Sequence, residues 1–139
     1  MNMAPAQLLD FAKRYTAAWC SQDPASVAAF FSPNGTLSVN GAAAAGRDAI
    51  TEVAREFMTL FPDMVLTMTD LVAFGGQATY HWTLDGSNNG PGGTGKRVRV
   101  SGFEEWTFGA DGLIAQSQGH FDETDCQHQL NHGFNESQK

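Results

Sequence analysis

Apolar residues in the N-terminal part of the chain recur at intervals of three and four, which is the spacing of one face of a helix. A first helix is therefore predicted within residues 5–23, and a second, short one from Pro24, with Asp23 as its N-cap. A third is predicted over residues 48–61, with Asp48 as its cap. The buried stripe of the first helix consists of Leu8, Phe11, Ala12, Tyr15, Ala18 and Trp19.

The segment between the second and third helices has a different character. "SPNG" is typical of a turn, "TLSVN" predicts a short strand, and "GAAAAGRD" is interpreted as a loop.

From Met64 onward the pattern changes to runs of about ten residues that are rich in Val, Thr, Phe and Trp and separated by glycine. "FGGQ" and "GADG" are typical of hairpin turns, and "GSNNGPGGTGK" is a longer loop. A last helical piece is predicted in "DETDCQHQL". The predicted strands are "MVLTMTDLVAF", "QATYHWTLDG", "KRVRVSGFEEWTF" and "LIAQSQGHFD".

This order of elements, helices first and then a meander of long strands, predicts an α+β fold with helices on one face of the sheet. Gly102 and Gly119 inside strands indicate strong bending. We expect a single domain over residues 1–139, with residues 130–139 as a frayed tail. Its architecture would be a cone, in which a curved antiparallel or mixed sheet is closed by the three helices and a short C-terminal helix. A pocket inside such a cone is a natural ligand site.

Composition and charge narrow the classes of function. The chain has 139 residues, 42% of them hydrophobic, and a formal net charge of −7. An acidic chain does not favour nucleic acid or an anionic membrane surface as partner, because both need clustered Lys and Arg. The sequence shows no spanning segment and no signal peptide, so we expect a cytoplasmic protein in which Cys20 and Cys126 are reduced.

The stretch "SQGHFDET" carries the first candidate chemistry. His120 and Asp122 lie two positions apart, so on a regular strand they share a face with Gln118. Asp122 has two interpretations: a carboxylate base whose pKa is raised by an apolar cone, or the N-cap of the last helix. His120 could orient or relay a proton, or be a polar residue at the rim.

Other polar residues also have more than one interpretation. His81, between Tyr80 and Trp82, is either a second imidazole of the site or a structural hydrogen-bonding residue. Glu104 and Glu105 face opposite sides of their strand. If Glu104 shares the inner face with Trp106, it is a second carboxylate of the pocket.

Asp125, His128 and His132 have a spacing that could suit a metal, but they lie in a polar tail and we assign no metal site.

Several blocks, in this order and spacing, resemble the SnoaL-like polyketide cyclases of the wider ketosteroid-isomerase-like and nuclear-transport-factor-2-like cone superfamily. The resemblance covers the chain from about Leu8 to Leu130. The blocks are "AAWCSQDPASVAAFFSPNGTL", "GRDAITEVAREFMTLFPDM", "YHWTLDGSNNG", "TGKRVRVSGFEEWTF" and "DGLI" followed by "FDETDCQHQL".

The resemblance implies an α+β cone, a homodimer formed through the outer face of the sheet, and catalysis without a metal or an organic cofactor. It places the general acid/base at Asp122, with His120 and His81 as polar partners. The candidate substrate-binding residues are Tyr15, Trp19, Phe57, Glu104, Trp106 and Gln118. Gln118 and His120 stand where members of the family often have aromatic residues, and this departure predicts a more polar deep end of the pocket.

The function expected is proton abstraction next to a carbonyl, leading to aldol cyclisation or isomerisation of a small, apolar, polyketide-like or steroid-like compound. The alternative is a module of the same fold that binds a small ligand without turnover. An epoxide hydrolase is less favoured, because that class needs an Arg and an Asp two apart on an inner strand and "YHWTLD" has no Arg.

Overall fold

The computed structural model describes residues 4–134, which form four helices and six strands. The helices are α1 (Pro5–Cys20), α2 (Pro24–Ala28), α3 (Arg47–Leu60) and α4 (Glu123–His132). The strands are β1 (Phe31–Val39), β2 (Ala42–Ala45), β3 (Val65–Phe74), β4 (Gln77–Ser87), β5 (Arg97–Phe108) and β6 (Ile114–Phe121). α4 includes residues 130–132 of the predicted frayed tail, and residues 135–139 lie outside the described residues.

All six strands form one curved sheet in the order β2-β1-β6-β5-β4-β3. The pairs are antiparallel except that β1 runs parallel to β6. The expected fold class, a mixed α+β cone with three helices in the N-terminal half and a short one at the C-terminus, is confirmed.

The two faces of the sheet differ in burial, because successive side chains of a strand point to opposite sides. In β5 the even-numbered residues from Val98 to Phe108 face inward, and the odd-numbered ones from Arg97 to Thr107 face outward. α1 covers the inner face with its apolar stripe, so that Phe11 packs edge-to-face against Trp106 at a ring distance of 5.7 Å. The core therefore lies between α1 and the inner face of the sheet.

Two local predictions between α2 and α3 were wrong. "SPNG" lies inside β1, where the register with β6 shifts between Phe31 and Thr36, and is not a separate turn. The alanines of the predicted loop form β2, because their backbone groups pair with Thr36–Val39 of β1. Alanine has little strand propensity, so no local pattern indicated this edge strand.

The cap predicted for α3 also differs from the structure. Gly46, with a φ of +88°, is the N-cap, and Asp48 lies in the first turn without a capping hydrogen bond. The carboxylate of Asp48 still stabilises the first turn of α3, because the N-terminus of a helix carries a partial positive charge.

Gly102 allows the sheet to bend around the indole of Trp82. A Cβ at residue 102 would lie 2.6 Å from Cζ2 of Trp82 and 2.3 Å from the carbonyl oxygen of His120. These distances exclude any larger residue without a local shift, and they bring Trp82 across β5 toward the end of β6.

Within residues 4–134, no helix is both long enough and apolar enough to cross a membrane. Cys20 and Cys126 are free thiols, as the sequence predicted.

Candidate functional site

Glu104 is a carboxylate in the middle of the apolar core, with 6% of its surface exposed. It projects from the inner face of β5 toward α1. The hydroxyl of Tyr15 donates to its Oε1 at 2.8 Å, the hydroxyl of Ser117 at 2.7 Å, and the indole Nε1 of Trp106 at 3.0 Å. One oxygen thus holds together a helix and two strands.

Burial dominates the acidity of this group. Desolvation raises the pKa of Glu104 above its ordinary value of 4.5, while the hydrogen bonds from Trp106, Ser117 and Tyr15 act in the opposite direction. All the hydrogen bonds that the described residues donate to this carboxyl group go to Oε1. Oε2 is therefore the oxygen that remains for a bound molecule.

The tyrosines around Glu104 are held as neutral phenols. Burial, followed by the nearby carboxylate, raises the pKa of Tyr15 well above its usual range, and burial also raises that of Tyr80. Tyr80 stacks on Trp106 at 4.8 Å, and its hydroxyl hydrogen-bonds with that of Thr16 at 2.5 Å. The rings behind Glu104 are thereby fixed in position.

Glu104 lines a cavity between the inner face of the sheet and helices α1 and α3. The cavity offers about 50 Å³ to the centres of water-sized molecules, several times the roughly 10–15 Å³ that one water needs. Gly119 also lines it, and a Cβ at that position would lie 3.6 Å from Cγ of Glu104. The aliphatic part of the wall consists of Leu37, Val39, Leu66 and Leu84.

Four aromatic residues make up the rest of the wall, and we call them the aromatic wall: Trp19, Phe57, Trp82 and Phe121. Each ring meets the next at a large angle. Trp19 and Phe57 are 5.9 Å apart at 79°, Phe57 and Phe121 are 6.4 Å apart at 73°, and Trp82 and Phe121 are 6.0 Å apart at 64°. Such edge-to-face contacts give rings a defined arrangement beyond simple burial.

The indole nitrogen of Trp19 is buried and forms no hydrogen bond with the described residues. It lies near enough to the Tyr15 hydroxyl to influence its pKa, but without the geometry of a hydrogen bond. Its contribution to the cavity is therefore aromatic surface.

A smaller cavity lies behind the aromatic wall, toward α4. It shares Phe57, Trp82 and Phe121 with the main cavity and reaches Cys126. Burial raises the pKa of the Cys126 thiol, so this cysteine stays protonated in apolar surroundings.

The structure does not place Asp122 where the sequence analysis expected it. Asp122 is exposed and is the N-cap of α4, where its Oδ1 accepts a hydrogen bond from the backbone N–H of Asp125 at 2.9 Å. The strand ends at Phe121, so the alternation that links Asp122 to the sheet stops one residue earlier. The expected position in an apolar pocket was wrong, and the N-cap interpretation is confirmed.

His120, His81 and Gln118 share a face, but it is the outer face of the sheet. Nε2 of His120 lies 3.0 Å from Oε1 of Glu105, and its ring is 4.9 Å from that of Phe103. The ring of His81 lies 5.8 Å from that of Phe103. The expectation that these residues face the pocket was wrong, because the inner residues of β6 are Ser117, Gly119 and Phe121.

The remaining candidates lie in or next to the site. Trp19, Phe57 and Glu104 line the cavity. Tyr15 and Trp106 lie behind the carboxyl group and donate to it. Ser117 and Phe121 were not among the residues that the sequence suggested for the site, although strand alternation opposite Glu104 and Trp106 would have found both.

The described residues contain no cluster of three or more His, Cys, Asp or Glu side chains that could hold a metal ion. Within α4 the rings of His128 and His132 are 4.6 Å apart, without a third such ligand beside them.

Comparison with known proteins gives the family. The SnoaL-like domain family matches residues 12–117, which is more than half of the chain, and the chain belongs to this family. A comparison with curated proteins finds no match.

Solved structures have the same fold. TsrD from Streptomyces laurentii is 25% identical, with a TM-score of 0.82 over 94% of this chain and 98% of that one. A hypothetical protein with a ketosteroid-isomerase-like fold from Catenulispora acidiphila, in complex with trimethylamine, is 18% identical, with a TM-score of 0.78 over 92% and 94% of the two chains. A SnoaL-like protein of unknown function from Burkholderia thailandensis is 16% identical, with a TM-score of 0.71 over 87% and 99%.

Proposed function

We propose that the protein binds a small, mostly apolar molecule in the main cavity and that Glu104 transfers a proton to or from it, without an organic cofactor. The supporting observation is the position of Glu104, a buried carboxyl group that lines an apolar cavity and has one oxygen not engaged by the protein. The acid/base role expected for Asp122 passes to Glu104, because Asp122 is exposed and caps a helix.

The proposed step is an isomerisation or aldol-type reaction of a carbon acid. Oε2 takes a proton from a carbon next to a C=O or C=N group, and the electron pair of that C–H bond moves into the unsaturated system. In an isomerisation, Glu104 returns the proton to a different atom of that system. In an aldol-type closure, the carbanion attacks a second carbonyl carbon, the π electron pair of that C=O bond moves to its oxygen, and this oxygen takes the proton from Glu104. A carboxylate whose pKa is raised by burial is a stronger base for this step than an exposed one.

The volume of the cavity limits the size of the reacting group. About 50 Å³ suits a compact group of a few non-hydrogen atoms, and a larger polyketide-like or steroid-like body would extend toward the open side of the cavity.

A binding role without turnover remains the second candidate. One observation favours it: Glu104 is the one carboxyl or imidazole group that the structure places in the wall of this cavity within residues 4–134. An enzyme of this type often uses a second group to stabilise the charge that develops on the substrate.

Proton exchange separates the two roles. Cyclohexanone in D₂O serves as probe, and the loss of its α-hydrogen NMR signal reports proton removal. We expect faster exchange with the protein than in buffer, loss of this acceleration in Glu104→Gln, and full acceleration in Glu105→Gln, a matched change on the outer face. Exchange at the buffer rate, or equal rates in the wild-type protein and Glu104→Gln, would rule out proton transfer by Glu104.

We further propose a homodimer formed through the outer face of the sheet, as the family resemblance implies. The apolar side chains Val65, Val72 and Phe74 of β3 support this, because they are 45–53% exposed. They pair with Asp85, Thr79 and Gln77 of β4, which places all three on the outer face.

A further inference from the structure

We propose that the group bound in the main cavity is a compact alkylated nitrogen cation, held between the aromatic wall and Oε2 of Glu104. This inference rests on the binding part of the proposed function and names the chemical class of the ligand.

The wall of the main cavity contains four aromatic rings. Trp19, Phe57, Phe121 and Trp82 follow one another around the cavity at ring distances of 5.9, 6.4 and 6.0 Å. The face of an aromatic ring carries partial negative charge and attracts a cation within about 6 Å of its centre. Since consecutive rings meet at 64–79°, their planes differ in direction and do not form a flat slot, which suits a rounded group better than a flat one.

The charges in and around the cavity also favour a cation. Glu104 supplies a formal negative charge when ionised, and the residues that line the cavity include no Lys, Arg or His within the described part of the chain. The whole chain carries a formal net charge of −7, so its field also favours a cation. A positively charged ligand stabilises the ionised carboxyl group, whereas burial without a counter-ion opposes ionisation.

The hydrogen-bond donors next to Glu104 bear on the sign of the ligand's charge. An anion, or an oxygen that becomes negative during a reaction, needs N–H or O–H donors directed at it. The hydroxyls of Tyr15 and Ser117 and the indole N–H of Trp106 all donate to Oε1 of Glu104. These three donors are engaged, and the neighbouring oxygen Oε2 is an acceptor, so the part of the cavity next to Oε2 suits a positive group better than a negative one. The indole N–H of Trp19, which has no partner among the described residues, is itself buried.

The size of the cavity agrees with this class. A trimethylammonium group is nearly spherical and has four non-hydrogen atoms, which about 50 Å³ for the centres of water-sized molecules accommodates. The methyl groups contact the rings and the aliphatic wall, and the positive charge, spread over the methyl groups, faces Oε2.

Isothermal titration calorimetry of the full chain tests the inference with a cation and its neutral counterpart. Choline carries a trimethylammonium group, and 3,3-dimethylbutan-1-ol has the same shape with carbon in place of nitrogen. We expect choline to bind about tenfold more tightly, or better, as cation–π attraction in a desolvated site implies. Equal or tighter binding of the alcohol, or no binding of choline, overturns the inference.

Two variants show whether the preference for choline arises in the main cavity. Glu104→Gln keeps an oxygen for the donors of Tyr15 and Ser117 but removes the charge, and should abolish the preference for choline, whereas Glu105→Gln should retain it. Phe121→Leu keeps an apolar residue of similar size and should weaken choline more than the alcohol. A preference for choline that survives both Glu104→Gln and Phe121→Leu would place the cation elsewhere and contradict the proposal.

The outcomes also distinguish this inference from the proposed function. Glu104-dependent proton exchange of cyclohexanone without choline binding refutes the cation and leaves the proton transfer standing. Glu104-dependent choline binding without proton exchange refutes the proton transfer and leaves the cation site standing.

Discussion

Ionisation of Glu104 opposes folding, because its carboxyl group is buried in the folded protein. Its pKa in the folded protein lies above 4.5, its ordinary value, so the folded state binds more protons than the unfolded state between these two pKa values. The contribution of Glu104 to the free energy of unfolding is fully present below the ordinary pKa of the group. This contribution is lost as the pH rises through the pKa that Glu104 has in the folded protein. One proton limits the slope to about 1.4 kcal/mol per pH unit.

We therefore predict that the free energy of unfolding of the wild-type protein, relative to that of Glu104→Gln, falls as the pH rises above about 4.5. Urea denaturation across a pH series measures this difference. Glu105→Gln, whose carboxyl group is exposed, should follow the wild-type profile. Parallel curves for the wild-type protein and Glu104→Gln would show that Glu104 does not titrate with a raised pKa.

The sequence left the role of Glu104 open for a physical reason. Alternation shows that Glu104 and Glu105 face opposite sides, but it does not say which side is the core. A charged residue is usually outside, and two of the three donors that make burial of Glu104 tolerable, Tyr15 and Ser117, come from other elements, 89 and 13 residues away. Two of these donors, Tyr15 and Trp106, were identified as candidates of the site, but as wall residues and not as partners of a carboxylate.

At the scale of elements, the sequence predicted the long, strongly patterned segments and the short helix α2, and failed in the segment between α2 and α3. α1, α3 and the four strands from β3 to β6 have clear periodicity, and the structure has them. β2 consists of four alanines and exists because it pairs with β1, which is a tertiary effect without a local signal. The sequence-based prediction assigned the wrong residues of β6 to the inner face. It counted the alternation of side chains from Asp122, which lies beyond the end of the strand.

The junction of β6 and α4 gives a prediction about Asp122. Asn is as good an N-cap as Asp, so Asp122→Asn should leave both the stability and the proton exchange of the probe nearly unchanged. Asp122→Ala removes the acceptor of the Asp125 N–H and should cost about 1 kcal/mol in the free energy of unfolding, measured by urea denaturation.

Asp23 is the matched control for that element, because it is the N-cap of α2 but its side chain makes no capping hydrogen bond. Asp23→Ala should therefore cost less than Asp122→Ala. Loss of proton exchange in a folded Asp122→Asn protein would restore the catalytic role that the sequence suggested for this residue.

In the whole molecule, the two faces of the sheet carry different chemistry. The inner face and the helices enclose Glu104 and the aromatic wall, while the outer face carries His81, Phe103 and His120 in a row. Phe103 is only half-buried between the two imidazoles, and Val65, Val72 and Phe74 are exposed on the same side. Apolar groups grouped on one exposed face are typical of an interaction surface.

We predict that the protein sediments as a dimer of about 30 kDa, twice the 15.0 kDa of the chain, in sedimentation velocity experiments. In a two-fold symmetric dimer each substitution is present in both subunits, so a charge introduced at Val72 or Phe74 lies in the interface on both sides. Val72→Glu and Phe74→Glu should shift the equilibrium toward the monomer, whereas Leu9→Glu, a change of an exposed apolar residue on α1, should not. A wild-type monomer at high concentration would remove the outer face as a homodimer interface, and equal effects of Leu9→Glu and Val72→Glu would show that the dimer uses another surface.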